Sequence, residues 1–206
     1  MHSLKHFYFK TVKYNLINKF FYLNLKKLPK ISKIILNFGC KSMELKYIAS
    51  SMLALELLTS QKGVITLTKK PNILLKIRKG NPSGCKVTLK KLSIYNFLSK
   101  VIIETFPKIK DLKNFNLDKK TKKNNFSFKL KEVFSFSELE KHYYVFNTLS
   151  PLNIMILTNC EDTKELIFLL ESFKFPLDKK NLADVTQLVE YNLAKIKAKG
   201  SNPFIC

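Results

Sequence analysis

The stretch KKPNILLKIRKGNPSGCKVTLKK, residues Lys69–Lys91, joins a dense cluster of positive charge to a backbone break and a strand pattern. It holds seven lysines, the single arginine of the chain (Arg78) and no acid. Glycine and proline interrupt it at Gly80–Gly84, and polar and apolar residues then alternate over Cys85–Leu89. Alternation is typical of a strand with one buried and one free face. A basic loop on such a support favours contact with phosphates, although a solvated lysine-rich hairpin would have the same composition.

The excess of positive charge extends over the whole chain. Lysine and arginine number 37 against 15 acids, which gives a net charge of +22, and no acid lies between Glu56 and Glu104. Such a surface repels itself unless a polyanion neutralises it, so RNA, DNA or an anionic membrane is the expected partner. Lysine, asparagine, isoleucine, phenylalanine and tyrosine are abundant, which indicates an AT-biased genome and partly explains the lysine excess.

Length and hydropathy predict one folded domain with an extra tail. The 206 residues are 46% hydrophobic, which is enough for a substantial core and argues against general disorder. No apolar run reaches the length needed to span a bilayer. The N-terminus lacks a hydrophobic signal core and arginine, so no targeting segment is evident.

The cysteines and histidines indicate neither a metal nor a cofactor. Cys40, Cys85, Cys160 and Cys206 are far apart, and the three histidines have no ligand spacing. We expect four free thiols in a reducing compartment.

Periodicity predicts helices and strands in mixed order through the first half of the chain. An amphipathic N-terminal helix carries Phe9, Val12, Leu16, Phe20 and Leu23; it would lie on RNA or membrane, dock on the core, or act as a mitochondrial presequence. Two strands are predicted, at Ile31–Phe38 and at Val64–Thr68. Between them a helix at Met43–Ser60, which Gly63 would end, has an apolar stripe of Leu45, Ile48, Ala49, Met52, Leu53 and Leu57. A second helix would be capped by Ser93 and ended by Pro107, and its stripe is Ile94, Phe97, Leu98, Val101, Ile102 and Thr105.

The second half predicts a loop at Lys108–Asn125, a strand at Phe126–Lys131, a buried strand at Leu152–Thr158 and a helix at Glu161–Phe173. The early acids of that last helix complement its dipole. The order shows no βαβ regularity and no repeat. We therefore expect an α+β fold with a mainly antiparallel sheet and helices packed on one face.

Five segments in this order resemble the universal large-subunit ribosomal protein five family, which binds 5S rRNA. The match covers roughly residues 5–177, and its most specific part is IRKGNPSGCKVTL. The segments are LPKISKIILNFG (Leu28–Gly39), LLTSQKGVITLTKK (Leu57–Lys70), KIRKGNPSGCKVTLKK (Lys76–Lys91), FPKIKDLK (Phe106–Lys113) and LNIMILTNCEDTKELIFLLESFKFPL (Leu152–Leu177).

The resemblance implies an RNA-facing side of the sheet. Family positions that meet 5S rRNA correspond to Asn37, Gln61 and Thr88, whose amides and hydroxyl suit sugars and phosphates. Lys62, Lys86 and Lys90 join them as cations. Independently of the family, alternation puts Lys86, Thr88 and Lys90 on one face and Cys85, Val87 and Leu89 on the other.

The resemblance also implies two further contacts. The loop at residues 72–83 would reach the elbow of the P-site tRNA, and Glu138–Ser150 would contact small-subunit head protein thirteen. The tRNA-facing residues would be Lys76, Arg78, Lys79, Gly80 and Asn81. Gly80 and Gly84 would permit turns there.

These expectations give a domain at residues 1–177, including an N-terminal helix at 1–27, and a C-terminal extension at 178–206. The extension has two interpretations. Val185, Leu188, Val189, Asn192 and Ile196 would make the stripe of a docked helix. Alternatively, the sequences at Gln187 and Gly200 resemble translated D and T arms of a tRNA gene, thirteen codons apart, which would suit a compact organelle genome. Mitochondrion is then favoured over plastid.

No catalytic motif is present in the sequence. It contains no P-loop, no GxSxG and no histidine–carboxylate pairing beyond Glu138 and Glu140 near His142, which we interpret as surface residues. The sequence predicts a structural constituent of the large subunit of an organellar ribosome, with rRNA and neighbouring large-subunit proteins as partners and no homo-oligomer. From composition alone, a free-standing basic RNA-binding protein or RNA chaperone, or a membrane-surface protein, is the alternative; a nuclease is more distant.

Overall fold

The computed structural model describes residues 3–22, 24–39, 45–71, 78–109 and 124–177. Five strands form one sheet in the order β2-β3-β1-β5-β4, and every neighbouring pair is antiparallel. The strands are β1 Ile31–Gly39, β2 Val64–Leu67, β3 Pro82–Leu89, β4 Asn125–Leu130 and β5 Leu152–Thr158. This architecture confirms the α+β prediction.

Helices cover one side of this sheet. They are α1 Ser3–Phe7, α2 Lys13–Phe20, α3 Leu45–Thr59, α4 Leu92–Ser99, α5 Ser137–Glu140, α6 Tyr143–Phe146 and α7 Thr163–Ser172. Two π-helical segments, Tyr8–Val12 and Lys100–Thr105, continue α1 and α4. Short 3₁₀ turns occur at Leu25–Lys27, Phe106–Lys108 and Val133–Ser135.

The core lies between the sheet and the helices. In β1, Ile34, Leu36 and Phe38 are fully buried and alternate with partly exposed residues. Strands β3, β4 and β5 show the same alternation. Strand β5 is therefore not buried on both faces as its aliphatic content predicted, because Asn153 and Met155 are exposed on the side away from the helices.

The N-terminal helix docks on the core, as one of its three interpretations proposed. Its buried residues are Tyr8, Val12 and Leu16, whereas Phe9 is 51% exposed and was wrongly placed in the stripe. Tyr8 and Val12 begin and end the π-helical segment, and the Lys13 backbone N–H after it donates to the Tyr8 carbonyl oxygen. Leu23 lies outside the described residues.

Polar and aromatic contacts hold this helix in place. The Tyr8 hydroxyl donates to the Pro29 carbonyl oxygen over 2.7 Å, and its ring stacks on Phe173. Burial raises the pKa of Tyr8 to about 12. The Tyr22 hydroxyl donates to the buried Glu165 carboxylate over 2.6 Å. The N-terminal segment is thus part of the domain core rather than an appendage.

Helix α3 faces the core with a different side from the one predicted. Ile48, Ser51 and Leu55 are buried, while the predicted Leu45 and Leu53 are 82% and 47% exposed. The helix ends at Thr59, and Ser60 directly after it adopts the left-handed conformation (φ 55°), so Gly63 does not stop the helix.

Helix α4 and its π-helical continuation bury the predicted stripe. Five of its six residues are buried, and Ile102 is partly buried. Ser93 does not cap the helix, because the N-cap position belongs to Lys91 and no side chain caps it. Pro107 lies in the 3₁₀ turn that follows, as its predicted role at the helix end requires.

Helix α7 confirms the last predicted helix with narrower bounds. Asp162 occupies its N-cap without a side-chain capping bond, and Glu165 accepts a hydrogen bond from the Glu161 backbone N–H over 3.1 Å. Most of the predicted loop at Lys108–Asn125 and the whole extension at 178–206 lie outside the described residues.

Gly84 is required by the close approach of β3 to β1. A β-carbon at Gly84 would lie 2.3 Å from the Phe38 carbonyl oxygen, which is a backbone atom that cannot move aside alone. Gly84 has no positive φ, so it does not provide the turn that the sequence predicted there. Gly80 provides the turn that was predicted at its position, because its φ is 89°.

We expect Gly84→Ala to lower the free energy of unfolding by about 1–3 kcal/mol, because the two strands must move apart. Gly39 lies directly opposite Gly84 in the register, and nothing lies within 4 Å of a β-carbon built there. Gly39→Ala is therefore the matched control, with an expected change within about 0.5 kcal/mol. Urea denaturation of both variants provides the measurement, and equal losses would contradict the steric explanation.

Candidate nucleic-acid interface

The side of the sheet that faces away from the helices, which we call the free face, brings three predicted residues together. Asn37 of β1 pairs directly with Lys86 of β3, and Thr88 pairs with Ile35. Lys86 and Thr88 are exposed, and Val87 between them is buried. The predicted alternation of β3 is thereby confirmed. The free face presents a cation, an amide and a hydroxyl within two register positions.

Asn37 has an unsatisfied group on this face. Its side-chain oxygen is buried and has no hydrogen-bond partner among the described residues, and the oxygen of Asn125 shows the same condition. A buried polar atom without a partner costs about 1–3 kcal/mol. A half-turn of the amide exchanges its oxygen and nitrogen, so either atom can meet an incoming ligand.

The other predicted rRNA-binding residues lie at one corner of the sheet. Gln61 does not lie on the free face; it is half-buried, and its Nε2 donates to the Ser93 hydroxyl over 3.1 Å. Lys62 is exposed in the turn before β2, and Lys90 is exposed directly after β3. Since Ser93 follows Lys90 by three residues, the Gln61–Ser93 bond holds these two basic segments near each other.

Hydrogen bonds join the two ends of the predicted tRNA-facing loop, Thr68 on one side and Arg78 to Asn81 on the other; we call this junction the neck. The backbone N–H of Thr68 donates to the Asn81 carbonyl oxygen over 2.9 Å, and that of Gly80 donates to the Thr68 carbonyl oxygen over 3.0 Å. The Thr68 hydroxyl lies 2.9 Å from the Arg78 carbonyl oxygen. Arg78, Lys79 and Gly80 are exposed just outside this neck, and Lys76 lies outside the described residues.

The sequence reasoning missed residues on the other half of the free face. Asn153 and Met155 of β5 and Ser127 and Lys129 of β4 point to the same side as Asn37. A shallow depression of about 530 Å³ runs across the sheet from Thr66 of β2 to Lys129 of β4 and includes Lys86. The alternation in LNIMILT and FSFKL indicates which residues face outward. In the first segment, the high aliphatic content led to the prediction of a buried strand instead.

The described acidic side chains lie outside the strands that form the free face. No acid points outward from the described strands. Three of the acids form ion pairs elsewhere: Lys27 with Glu161 at 3.1 Å, Lys100 with Glu138 at 2.6 Å, and Lys108 with Glu140 at 3.5 Å. The lysines of the free face therefore form no ion pair within the described residues, and a polyanion can neutralise them.

The Lys100–Glu138 pair stabilises the link between α5 and the segment after α4. Burial of the Glu138 carboxyl opposes its ionisation, but the hydrogen bond and the charge of Lys100 outweigh that effect and lower the pKa of Glu138. A lowered pKa stabilises the fold above the pKa of the unfolded carboxyl, and this contribution is lost as the pH falls.

We expect Glu138→Gln to reduce the free energy of unfolding by about 1 kcal/mol at pH 7, and the difference from the unchanged protein to shrink as the pH falls through the lowered pKa of Glu138. Glu140→Gln is the control, because its ion pair is longer and more exposed, and we expect it to cost less than about 0.5 kcal/mol. Denaturation at a series of pH values measures both. A Glu138→Gln deficit that grew at acidic pH would contradict this assignment.

The described residues contain no cluster of three or more histidine, cysteine, aspartate or glutamate side chains that could hold a metal ion. Glu138 and Glu140 form ion pairs with lysines, and His142 is exposed. The two described cysteines, Cys85 and Cys160, are buried thiols that form no disulfide, and burial raises the pKa of Cys160 to about 11. Within the described part, no helix is both long and apolar enough to cross a bilayer.

Comparison with known proteins gives a consistent result. The model of the C-terminal part of the ribosomal L5 family matches residues 82–177. Large ribosomal subunit protein uL5m of Reclinomonas americana is 39% identical over 182 residues, which covers 87% of this chain and all of that protein. Large ribosomal subunit protein uL5 of Nitrosomonas europaea is 34% identical over 178 residues, which covers 85% of this chain and 98% of that protein.

These matches, together with a helix-backed sheet whose described strands carry lysines and no acid on the free face, define the class: a structural protein of the large ribosomal subunit, associated with ribosomal RNA and not an enzyme. Within that class, the chain belongs to the L5 family, also called uL5. Family membership decides against the free-standing RNA chaperone, the membrane-surface protein and the nuclease.

Proposed function

We propose that this member of the L5 family binds 5S rRNA in the central protuberance of the large subunit through the free face of its sheet. The observation that carries the proposal is the grouping of Asn37, Lys86 and Thr88 on a face without acids. Lysines neutralise phosphates, and short amides and hydroxyls reach sugars and phosphates. Gln61, Lys62 and Lys90 would extend the contact at the corner of the sheet.

The loop at residues 72–83 would contact the elbow of the P-site tRNA. The neck of the loop supports this role, because Thr68 ties both sides together and leaves Arg78 and Lys79 exposed beyond it. Lys76 and Asn81 would add contacts, and Gly80 supplies the left-handed turn.

Replacing Lys76, Arg78 and Lys79 together with alanine should weaken P-site tRNA retention by about tenfold, because three phosphate contacts are lost. Assembly of 5S rRNA into the particle should be unchanged, because the free face is untouched. Filter binding of peptidyl-tRNA to purified ribosomes measures the first effect, and the 5S rRNA content of the same particles is the control. Loss of 5S rRNA from the triple variant would show that loop and sheet do not divide these roles.

The segment Glu138–Ser150 would contact small-subunit head protein thirteen and so help to bridge the subunits. Support comes from α6, on which Tyr143 and Tyr144 are 60% and 76% exposed. Exposed tyrosines are frequent in protein–protein contacts, since they combine a large apolar ring with a hydrogen-bonding end.

The proposed location is the mitochondrial matrix, in the mitochondrial ribosome, with the plastid as the less favoured organelle. The uL5m relative and the AT-biased composition support it. Residues 1–177 would form the ribosomal domain, with an N-terminal helix at 1–27 and the tRNA-facing loop at 72–83, and residues 178–206 its extension. The family model ends at the same residue, 177. We expect no homo-oligomer.

Sucrose-gradient sedimentation of organelle lysate tests this function. The protein should sediment with the large subunit at one copy per particle after a wash at moderate salt, together with 5S rRNA. A large subunit that carries the protein but contains no 5S rRNA would overturn the assignment of the RNA partner. Its enrichment in plastid rather than mitochondrial ribosomes would overturn the assignment of the organelle.

A further inference from the structure

Strand β2 is an edge of the sheet with an apolar surface. It pairs with β3, and no described strand lies on its other side. Three of its four residues are aliphatic and exposed: Val64 by 60%, Ile65 by 42% and Leu67 by 60%. Edge strands usually carry charged side chains or proline, which prevent them from pairing with other chains. The strand β2 contains neither.

The helical layer stops short of this edge. Ile65 pairs with Cys85 in the register, so both side chains point to the helix side of the sheet. Cys85 is fully buried against α3, whereas Ile65 remains exposed. Val64 pairs with Lys86 and points to the free face. Exposed aliphatic side chains therefore line the edge on both sides of the sheet.

The backbone of β2 can form further hydrogen bonds at this edge. The Thr66 carbonyl oxygen accepts a hydrogen bond from the Ser83 hydroxyl over 3.0 Å, and Thr68 bonds through its N–H and its carbonyl oxygen to the segment that leads into β3. Along a strand, the backbone groups of successive residues point to opposite sides. The N–H and C=O groups of Ile65 and Leu67 therefore point away from β3, towards the outer edge.

Positive charge lies at both ends of β2. Lys62 is exposed before the strand, and Lys69 and Lys70 are exposed after it. No acid occurs between Glu56 and Glu104 in the sequence. A chain that paired with this edge would gain most if it placed aliphatic side chains beside β2 and an acid near each end. Its paired part would be about as long as β2, or about 13 Å.

We propose that the outer edge of β2 binds an extended segment of a neighbouring large-subunit protein, which adds a sixth strand to the sheet. Strand addition of this kind takes its affinity from backbone hydrogen bonds and its specificity from the side chains at alternate positions. The partner segment has aliphatic residues at alternate positions and an acid near each end. Membership of the large subunit supplies such neighbours. The bound segment would end beside Thr68, which holds the neck of the loop.

Two other occupants fit this edge less well. RNA would be attracted by the lysines, but three aliphatic side chains offer neither charge nor an aromatic ring on which a base can stack. A second copy of this chain, paired antiparallel, would bring Lys62 of one copy near Lys69 and Lys70 of the other. Like charges opposite each other destabilise a strand pair. The charges therefore favour an acidic partner over a second copy.

Photo-cross-linking in assembled large subunits tests this proposal with the full-length protein. Leu67 is replaced by an amino acid with a photoreactive diazirine group, and the cross-linked peptide is sequenced by mass spectrometry. We expect one peptide, from another protein of the large subunit, with the aliphatic alternation and the acids described above. The same group at Ile103 is the control, because Ile103 is 64% exposed on the π-helical segment after α4. The control should not cross-link to that peptide.

Three variants test the backbone contact, with the photoreactive group moved to position 64. Leu67→Pro removes an N–H that points outward, so the cross-link should fall about fivefold or more while the thermal midpoint falls by less than about 4 °C. Leu67→Thr retains this N–H but loses aliphatic surface, so the cross-link should fall about threefold. Thr66→Pro removes an N–H that points to β3, and it should lower the midpoint far more than Leu67→Pro does.

Each outcome supports or overturns the proposal. A cross-link from position 67 to rRNA, to a second copy or to residues 178–206 of this chain would overturn it, and so would the absence of any cross-link. A cross-link to a protein segment that Leu67→Pro leaves unchanged would overturn the addition of a strand. Equal destabilisation by Leu67→Pro and Thr66→Pro would show that the backbone is oriented differently, and the proposal would fail. None of these results decides the binding of 5S rRNA, which concerns the free face rather than the edge.

Discussion

Replacing Thr88 with glutamate is expected to weaken the binding of 5S rRNA about a hundredfold, which corresponds to about 3 kcal/mol. Thr88 is exposed on the free face, two register positions from the pair of Lys86 and Asn37, and no outward-pointing acid lies on the described strands. The substitution removes a hydroxyl and adds an anion where phosphates are proposed to lie. Repulsion between like charges at a partly desolvated contact then adds to the lost hydrogen bond.

Two further variants separate charge from size at this position. The glutamine of Thr88→Gln has nearly the shape of glutamate without its charge, and we expect this variant to bind 5S rRNA about tenfold more weakly than the unchanged protein. Thr88→Ser retains the hydroxyl and should bind almost normally. Binding is measured by filter retention at several salt concentrations. If Thr88→Gln and Thr88→Glu lost the same affinity, steric exclusion rather than phosphate repulsion would explain the effect.

Replacing Leu16 with alanine is expected to lower the free energy of unfolding by about 2–5 kcal/mol, the range found for buried leucines. Leu16 is completely buried on α2, although it belongs to an N-terminal segment whose composition would also suit a peripheral basic helix. The loss should be large because the helix is anchored on both sides of Leu16, by Tyr8 on Pro29 and by Tyr22 on Glu165.

Phe9→Ala is the control for this experiment. Phe9 is apolar and was placed in the same predicted stripe, but it is 51% exposed, so its loss should cost less than about 1 kcal/mol. Urea denaturation followed by circular dichroism compares the two variants. A loss for Phe9→Ala as large as that for Leu16→Ala would mean that Phe9 is buried with Leu16, as the predicted stripe required, and would contradict the structure.

Alternation was a reliable guide to β1, β3, β4 and β5, because each of these strands has one buried face. In β3 and β4 the period of two residues is unbroken over the predicted segments, so both the strands and their outward residues, including Lys86 and Thr88, followed from the sequence alone. The assignment of the chain to an α+β fold followed from the same patterns.

Helix α3 shows where periodicity fails. Its sequence is apolar on nearly all sides, so several faces satisfy the helical period equally well. The face that docks contains Ser50 and Ser51, whose hydroxyls bond to the carbonyl oxygens of Tyr47 and Ile48. Those local bonds allow serines to be buried and leave Leu45 and Leu53 exposed.

The composition of the candidate interface depended on tertiary structure. Neither the pairing of Asn37 with Lys86 nor the position of Asn153 beside Asn37 can be read from one strand at a time. Register is set by the way the strands pack together. The position of Gln61 also depended on tertiary structure. Its turn was predicted from the sequence, but its hydrogen bond to Ser93 depends on the packing of α3 beside α4.

The central claim is that RNA covers the free face of the sheet, and a cryo-electron microscopy map of the central protuberance tests it most directly. The account predicts that a 5S rRNA helix lies against Lys86, Thr88 and Asn37, with the helices of the protein turned away from it. A map in which that face contacts solvent or another protein, while 5S rRNA meets the helical layer, would contradict the account.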